Sequence, residues 1–390
     1  MSDDKLFLPL FAARWVAVTG DASLLEERVP YLSSPPLVGI AEARYETPKP
    51  SKEGTVQEHC ERAIAHALAR KGEHGLLKIG CGDWNDALNA IGTRDRGESV
   101  WLTMFAVRVL RDYAAAVGYE KGQRHLKEAE SLAAAAAKTF DGEKFARAFT
   151  DDGVWLGTGE GNCALDLICQ AWAQLAKIGD EDMRRRALDS AAKLYDKEFG
   201  LVKLFDPPFE PRDRVGYIGA YPKGVRENGG QYTHAAVWYM IALFDSGRYD
   251  EAKRLMFDIC PSTAAARYGD MRGGEPYVVA ADVYSAEGRR GESGWTWYTG
   301  SAGWLYTAIV EKALGITMSR GLVRIGKPRG FDAQRLKVTL KIGGTTYKIS
   351  YQRGDGDYIR SGELNYLNCT EFRPDEKKGS VEVVRIYRGD

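Results

Sequence analysis

The chain has 390 residues, of which 44% are hydrophobic, and this content is enough for at least one large core. Its 54 basic residues balance its 54 acidic residues, so the sequence lacks the basic excess expected of a nucleic-acid-binding protein. Six cysteines without CxxC spacing, the absence of a signal-peptide pattern and the lack of a long apolar run together predict a cytoplasmic protein without disulfides, zinc or membrane segments.

Seven stretches in the first four fifths of the chain carry the three- and four-residue spacing of apolar residues that is typical of amphipathic helices. Long, glycine-rich polar connections separate them. Since no repeat of fixed period links the stretches, helix pairs arranged in an (α/α) toroid are favoured over an α-solenoid. The predicted helices are 100–117, 125–140, 164–178, 183–199, 231–247, 249–259 and 300–316.

The pattern changes after Met318. Residues 336–353 alternate apolar and polar side chains around a Gly-Gly pair, which predicts a β-hairpin, and residues 382–389 continue in the same style. We therefore predict a mainly α protein with two domains. A helical barrel domain spans 1–318, and a small antiparallel β-module spans 319–390.

The segment GDWNDALN at 82–89 places two carboxylates, Asp83 and Asp86, three residues apart with Trp84 between them. The pattern indicates a junction between a loop and a helix. Cleavage of a glycosidic bond needs a protonated acid beside the leaving oxygen, and a neighbouring indole favours that state by desolvating the acid. Capping of the following helix is the competing interpretation for both carboxylates, and it comes first for Asp83.

A second polar segment precedes a strongly apolar predicted helix and carries Arg226, Glu227, Gln231 and His234. Two glycines in the middle of the segment let a ligand approach the backbone. The amides and the positive dipole end of a helix start favour a bound anion. The segment therefore predicts an anion site at His234, with a structural histidine as the alternative.

A third segment, GWTWYTGSAGW at 294–304, predicts another phosphate-compatible site. Thr299, Gly300 and the serine that follows resemble a nest of hydroxyl and amide groups at a helix start. Trp297 faces either a sugar or the core. Upstream of this segment, Glu275 is either a second carboxylate of the site or a structural hydrogen-bonding residue.

These residues favour phosphorolysis over hydrolysis. A hydrolase acting on glycosides needs two carboxylates, one as acid and one as base or nucleophile. A phosphorylase needs the acid and an anion site, because phosphate is itself the nucleophile. Hydrolysis stays open as an alternative, with Glu227 or Glu275 as the base.

Seven segments, in this order along the chain, resemble glycoside hydrolase family 94. This family contains the inverting phosphorylases of cellobiose, chitobiose and related β-glucosides. The same pattern occurs in the C-terminal region of the cyclic β-1,2-glucan synthases. Any one segment is a weak signal, but seven in order are specific. The segments are GDWNDALN, GESVWL, FTDDG, DLICQAW, YPKGVRENGGQYTHAAVW, EPYVVAADVY and GWTWYTGSAGW.

The resemblance implies an (α/α)6 toroid that converts a β-1,2-gluco-oligosaccharide or a cellobiose-like substrate to α-glucose 1-phosphate. Asp86 is the implied general acid. Inorganic phosphate is the implied co-substrate, held by His234, Thr299 and Gly300, with no metal and no organic cofactor. The predicted substrate-binding residues are Trp84, Asp83, Arg226, Glu227, Gln231, Glu275 and Trp297.

The chain departs from the family pattern at two residues and in its length. Ala87 replaces the usual glycine after the acid, and Glu292 replaces a usual arginine. Family members are also much longer, and the upstream residues that grip the donor glucose have no counterpart here. We therefore expect a separately encoded N-terminal half or a homo-oligomer to complete the site. The alternative is a non-catalytic carbohydrate-binding or scaffolding subunit, without nucleic-acid or membrane partners.

Overall fold

The computed structural model describes residues 1–35, 46–297, 300–361, 364–366, 369–374 and 379–388. Within these ranges the first four fifths of the chain are mainly helical. The last helix continues into a π-helical turn, Ala308–Ala313. The α-helices are α1 Asp4–Thr19, α2 Val56–Leu68, α3 Val100–Val117, α4 Tyr119–Ala137, α5 Leu167–Leu175, α6 Glu181–Ala191, α7 Thr233–Asp245, α8 Tyr249–Ile259, α9 Pro261–Tyr268 and α10 Ser301–Thr307.

All seven predicted helices are present, and two of them, α3 and α8, begin and end where the sequence predicts. The start of α3 is fixed by Ser99, whose hydroxyl accepts a hydrogen bond from the Leu102 amide. Helix α6 is shorter than predicted because the chain tightens into a 3₁₀ turn after Ala191 and then enters a short strand. Helix α2, which begins with a capping box formed by Thr55 and Glu58, was not among the seven.

The helices form two layers. Helices α3, α5 and α7 are buried on nearly every side, and each contributes a large buried tryptophan, namely Trp101, Trp172 and Trp238. Their partners α4, α6 and α8 follow directly in the chain and bury one face only. A helix that is apolar all round belongs inside a protein, so α3, α5 and α7 form the inner layer.

Short strands precede the inner helices and hold the connections at one end of the helical layer. Strand β4 leads directly into α3, β7 into α5 and β11 into α7. The connections therefore gather where the inner helices begin. The strands of this region are β1 Arg28–Ser33, β2 Lys49–Thr55, β3 Leu77–Lys78, β4 Glu98–Ser99, β5 Ala148–Phe149, β6 Trp155–Leu156, β7 Leu165–Asp166, β8 Tyr195–Asp196, β9 Leu201–Val202, β10 Phe205–Asp206, β11 Gln231–Tyr232 and β12 Asp282–Val283.

The last part of the chain is a β-module with its own hydrophobic cluster, which begins at Leu314. The predicted boundary at residue 318 stays a prediction. The strands are β13 Ile316–Ser319, β14 Leu322–Ile325, β15 Lys337–Ile342, β16 Thr345–Arg353, β17 Tyr358–Ser361, β18 Leu364–Tyr366, β19 Glu371–Phe372 and β20 Gly379–Tyr387.

The predicted hairpin is present, since β15 and β16 pair antiparallel around the Gly-Gly turn. The prediction that the module is antiparallel is wrong for its longest pairing. Strand β20 inserts between β16 and β17 and runs parallel to β16, from Thr345 opposite Gly379 to Arg353 opposite Tyr387. Alternation along the sequence reports only neighbouring strands, whereas this pairing joins strands that are distant in the chain.

No helix in the described part of the chain combines the length and the apolar character needed to cross a bilayer. In the same ranges, the His, Cys, Asp and Glu side chains form no group of three that could hold a metal ion.

Candidate active site

The connection between β3 and β4 contains GDWNDALN and forms a series of turns rather than a helix start. Its side chains hold its own backbone, since Asp83 Oδ1 accepts from the Asn85 amide at 3.0 Å and Asn85 Oδ1 accepts from the Ala87 amide at 3.2 Å. The prediction that Asp83 or Asp86 caps a following helix is therefore wrong.

Asp83 belongs to a buried ionic cluster beneath this connection. The guanidinium of Arg147 donates to both carboxylate oxygens of Asp83, at 2.7 and 2.8 Å, and the Ser99 hydroxyl donates to Oδ2 at 2.6 Å. Burial lowers the pKa of Arg147, but the charge of Asp83 raises it, and the net shift of the pKa is upward. All four lone-pair directions of Asp83 are used inside the protein. The structure therefore does not support a substrate-binding role for Asp83.

Asp166 completes this buried cluster and joins it to the inner layer. Its carboxylate caps α5 by accepting from the Cys169 amide at 3.1 Å, and it lies 3.6 Å from Arg147 Nε. Burial raises the pKa of Asp166 to about 6. One guanidinium thus links the GDWNDALN connection to the start of α5.

A cleft of about 330 Å³ opens where α7 and α10 begin. It brings together five of the predicted site residues, which come from three distant segments of the chain. Tyr232, Ala281 and Ser301 complete its wall. Tyr232 and Ala281 were not predicted, whereas Ser301 is the serine of the nest predicted beside Gly300. The five predicted residues are Trp84, Asp86, Glu227, His234 and Gly300.

Asp86 lies on the exposed side of the cleft. The Tyr217 side chain lies near its carboxylate, and partial burial together with that carboxylate raises the pKa of Tyr217. The connection that contains Gly216 packs closely against GDWNDALN, because a Cβ at Gly216 would lie 2.3 Å from the Ala87 carbonyl oxygen. Gly216 also has φ +130°, which favours glycine. Tyr217 was not among the predicted site residues, although it lies in a connection rich in glycine and aromatic residues.

Glu227 is a second carboxylate of the cleft and is nearly buried. Burial raises its pKa, and Arg226 Nε donates to Glu227 Oε2 at 3.3 Å. Arg226 itself stacks against Trp295, with the guanidinium carbon 4.9 Å from the ring centroid. Arg226 is thus a neighbour of the cleft that orients Glu227.

Three other predicted site residues, all of them described, lie outside the cleft. Gln231 is buried, and its Oε1 accepts from the Val202 amide at 2.9 Å. Glu275 accepts from Trp297 Nε1 at 2.9 Å, outside the cleft, and Trp297 is 72% exposed. Thr299 lies outside the described residues. The roles predicted for Glu275, Trp297 and Thr299 stay predictions.

His234 lines the cleft in the first turn of α7, and burial lowers its pKa to about 3. The imidazole is therefore uncharged at neutral pH. Its Nδ1 lies 3.2 Å from the indole Nε1 of Trp84, while its Nε2 is shielded from solvent and has no hydrogen-bond partner among the described residues. Because helix α7 begins at the cleft, the positive end of its dipole lies there. No side chain caps this end of the helix.

Comparison with known proteins identifies the family. Residues 1–315 match the profile described as Glycosyl hydrolase 94 superfamily, catalytic domain. The chain is 40% identical over 379 residues to cyclic beta-(1,2)-glucan synthase NdvB of Rhizobium meliloti (strain 1021), which covers 93% of this chain and 13% of that protein. It is 28% identical to solabiose phosphorylase of Paenibacillus borealis, covering 90% of this chain and 44% of that enzyme.

Two further known proteins are similar to this chain. The chain is 25% identical to N,N'-diacetylchitobiose phosphorylase of Vibrio proteolyticus, covering 100% of this chain and 47% of that enzyme. It thus spans less than half the length of each of these three relatives. A GH78 family rhamnosidase of Bacillus sp. GL1 shares the fold, with a TM-score of 0.50 and 15% identity over 89% of this chain and 31% of that one. Because the family profile covers most of the chain, the protein belongs to the glycosyl hydrolase 94 superfamily, as its motifs predicted.

Proposed function

We propose that the cleft catalyses inverting phosphorolysis of a β-linked glucoside. The observation that carries this proposal is that Asp86 and His234 line the same cleft, and that His234 Nε2 has no partner among the described residues. The first supplies an acid for the leaving group, and the second supplies a donor for an anion. The names of two relatives, solabiose phosphorylase and N,N'-diacetylchitobiose phosphorylase, agree with this chemistry.

In the proposed reaction, an oxygen of phosphate attacks the anomeric carbon while the bond from that carbon to the glycosidic oxygen breaks. Asp86 transfers its proton to the departing oxygen, which leaves as a hydroxyl of the shortened acceptor. The products are this acceptor and α-glucose 1-phosphate, and a proton from solvent restores the acid. The exposed position of Asp86 leaves room for a long acceptor on that side of the cleft.

The remaining residues of the cleft would bind the two substrates. His234 and Gly300, with Thr299, would hold the phosphate, and the dipole end of α7 would favour its charge. Trp84 and the Arg226–Glu227 pair would contact the glucosyl unit. No step of this scheme uses a metal ion or an organic cofactor.

A β-1,2-linked gluco-oligosaccharide is the substrate we favour, with a cellobiose-like substrate second. The relative at 40% identity is a cyclic beta-(1,2)-glucan synthase, and the phosphorylase relatives are less similar. We also propose that the inner helices form an incomplete (α/α)6 toroid, supported by their side-by-side burial and by the family match. A cytoplasmic location belongs to the same proposal, and the six free cysteines agree with it.

An unpaired apolar face supports the proposal that a further polypeptide completes the barrel. Helix α1 buries Leu6 and Ala13 on one side, yet Leu8, Phe11 and Trp15 form an exposed stripe on another. A helix that is apolar all round is normally covered. Beside this stripe, Phe11 helps to line a second cleft of about 480 Å³ between α1, α5 and α10.

The covering polypeptide would be a separately encoded N-terminal half or a second copy of the chain. Light scattering after size exclusion, at micromolar concentration, tests for the second copy. Replacing Phe11 and Trp15 by serine is expected to turn a dimer into a monomer. A wild-type chain that stays monomeric and does not bind a separately produced N-terminal half would contradict the proposal.

An assay of phosphate release from glucose 1-phosphate with a panel of β-glucoside acceptors tests the reaction. Wild-type chain is compared with Asp86→Asn and with a matched control, Asp182→Asn, whose carboxylate is exposed on α6 and does not line the cleft. We expect Asp86→Asn alone to lose activity.

Two other outcomes would change the conclusion. Sugar release that needs no phosphate would favour hydrolysis, for which Glu227 is a possible base because it lines the same cleft as Asp86. Equal inactivity of all three proteins, with oligosaccharide binding retained by calorimetry, would favour the non-catalytic carbohydrate-binding subunit.

A further inference from the structure

The side chains of Trp84 and His234 meet at the cleft although they are 150 residues apart in the chain. The indole Nε1 lies 3.2 Å from the imidazole Nδ1, and the two ring planes are 78° apart. An indole nitrogen can donate a hydrogen bond but cannot accept one. Nδ1 is therefore the acceptor, and the single proton of the neutral imidazole belongs on Nε2.

We propose that Trp84 is a positioning residue, whose indole N–H holds His234 in the neutral Nε2–H form so that this one N–H is presented to the anionic substrate. The inference rests on the proposed function in one respect, namely that the anion is phosphate or the phosphate group of a sugar 1-phosphate. The assignment of the proton to Nε2 rests on the hydrogen bond alone.

The surrounding aromatic cluster shows that this hydrogen bond is selective. Trp101, Trp172 and Trp238 pack in the same cluster, and their indole N–H groups have no partner among the described residues. Burial in the cluster thus does not by itself provide an acceptor. Trp84 differs because its ring reaches the cleft, where its Nε1 lies beside Nδ1 of His234.

The ring of His234 is also held in place on its other sides. Its centroid lies 4.3 Å from that of Trp238 and 5.8 Å from that of Trp304. A ring that is packed in this way and bonded at Nδ1 has a fixed direction for its Nε2–H. A buried donor without a partner is unfavourable, so an anion that accepts from Nε2 would recover the lost hydrogen bond.

Nitrogen NMR of the full chain with ¹⁵N-labelled histidine tests the proton assignment. The chain has five histidines, and His234→Gln identifies the signals of His234 by their loss. We expect an unprotonated Nδ1 and a protonated Nε2 in the wild-type chain at neutral pH. A proton on Nδ1, or a charged imidazolium at that pH, would overturn the proposal.

Two matched substitutions test the role of the indole N–H. Trp84→Phe removes the hydrogen bond, while Trp238→Phe removes an equally large indole that contacts His234 without bonding to it. In Trp84→Phe we expect a mixture of the two neutral forms and roughly five-fold weaker phosphate binding, as for loss of one hydrogen bond. In Trp238→Phe we expect the Nε2–H form to persist. Equal spectra for the two variants would refute the role of Trp84.

Kinetics separate this proposal from the proposed function. In Trp84→Phe the KM for phosphate should rise more than kcat falls, because Asp86 is untouched. If Trp84→Phe does not fold, the wild-type spectrum still decides the proton position. If the wild-type chain binds neither phosphate nor glucose 1-phosphate, as followed by the Nε2 signal, the anion part and the proposed function fail together. The tautomer assignment is then judged by the spectrum alone.

Discussion

Asp83 and Asp86 belong to one short connection, yet they occupy opposite environments. Asp83 points into the protein, where Arg147 and Ser99 satisfy both of its oxygens. Asp86 lines the cleft, is exposed, and has Tyr217 as a neighbour. The two carboxylates of this connection therefore have different roles, one structural and one at the cleft. A carboxylate with every hydrogen bond made inside the protein fixes the loop, and this leaves its neighbour free to meet a substrate.

Loss of the buried charge should have the largest effect on folding. Asp83→Asn removes the carboxylate that bonds to Arg147 and leaves the more distant Asp166, 3.6 Å from Nε, as the countercharge. Breaking a buried pair costs about 3–5 kcal/mol of unfolding free energy. Urea unfolding at pH 7 measures the change. The exposed pair of Asp182 and Arg185 is the control, and Asp182→Asn should cost less than about 1 kcal/mol. A similar small loss for Asp83→Asn would mean that water reaches the cluster.

Loss of the exposed carboxylate should affect the reaction instead. Asp86→Asn is expected to lower the rate of phosphorolysis by about 10²–10⁴-fold, which is the usual contribution of a general acid. Its unfolding free energy should stay within about 0.5 kcal/mol of the wild type, because the side chain is exposed. Steady-state kinetics and urea unfolding on the same preparation check both parts. A large loss of stability would remove the contrast between the two carboxylates.

Asp3 makes the buried cluster sensitive to pH. It is buried near Asp83, and burial and the Asp83 charge raise its pKa from 3.8 to about 7. Between these values the folded protein binds more protons than the unfolded chain, so stability falls as the pH rises from about 4 to about 7. Asp3→Asn should therefore stabilise the protein by roughly 1–3 kcal/mol more at pH 8 than at pH 4. Thermal unfolding at both pH values checks this, and an equal gain at both would contradict it.

Glu275 should have the smallest effect. Its carboxylate is paired with the exposed Trp297 outside the cleft, so Glu275→Gln should change the KM for oligosaccharide by no more than roughly two-fold. Glu227→Gln is the comparison within the cleft and should have a clearly larger effect. A more than ten-fold rise of KM in Glu275→Gln would show that Glu275 binds the substrate, as the sequence predicts.

The helices and the family could be predicted from the sequence because both depend on local patterns. Apolar spacing places α3, and the ordered motifs identify the superfamily. The parallel pairing of β16 with β20 could not be predicted, because it depends on where a distant strand inserts. Tyr217 was missed for a related reason, since its position in the chain gives no sign that its side chain lies near Asp86.

The sequence by itself determined that this protein is a mainly helical member of a sugar-active superfamily, and it indicated which segments carry the polar residues of a site. Only the tertiary structure decided which of these residues share the cleft. Neighbouring residues of an irregular loop point to opposite sides, and the direction of each side chain depends on its partners. Asp83 meets Arg147, Trp84 meets His234, and both partners come from distant parts of the chain. Burial and hydrogen bonding between distant segments thus decide which candidate residues stabilise the fold and which line the cleft.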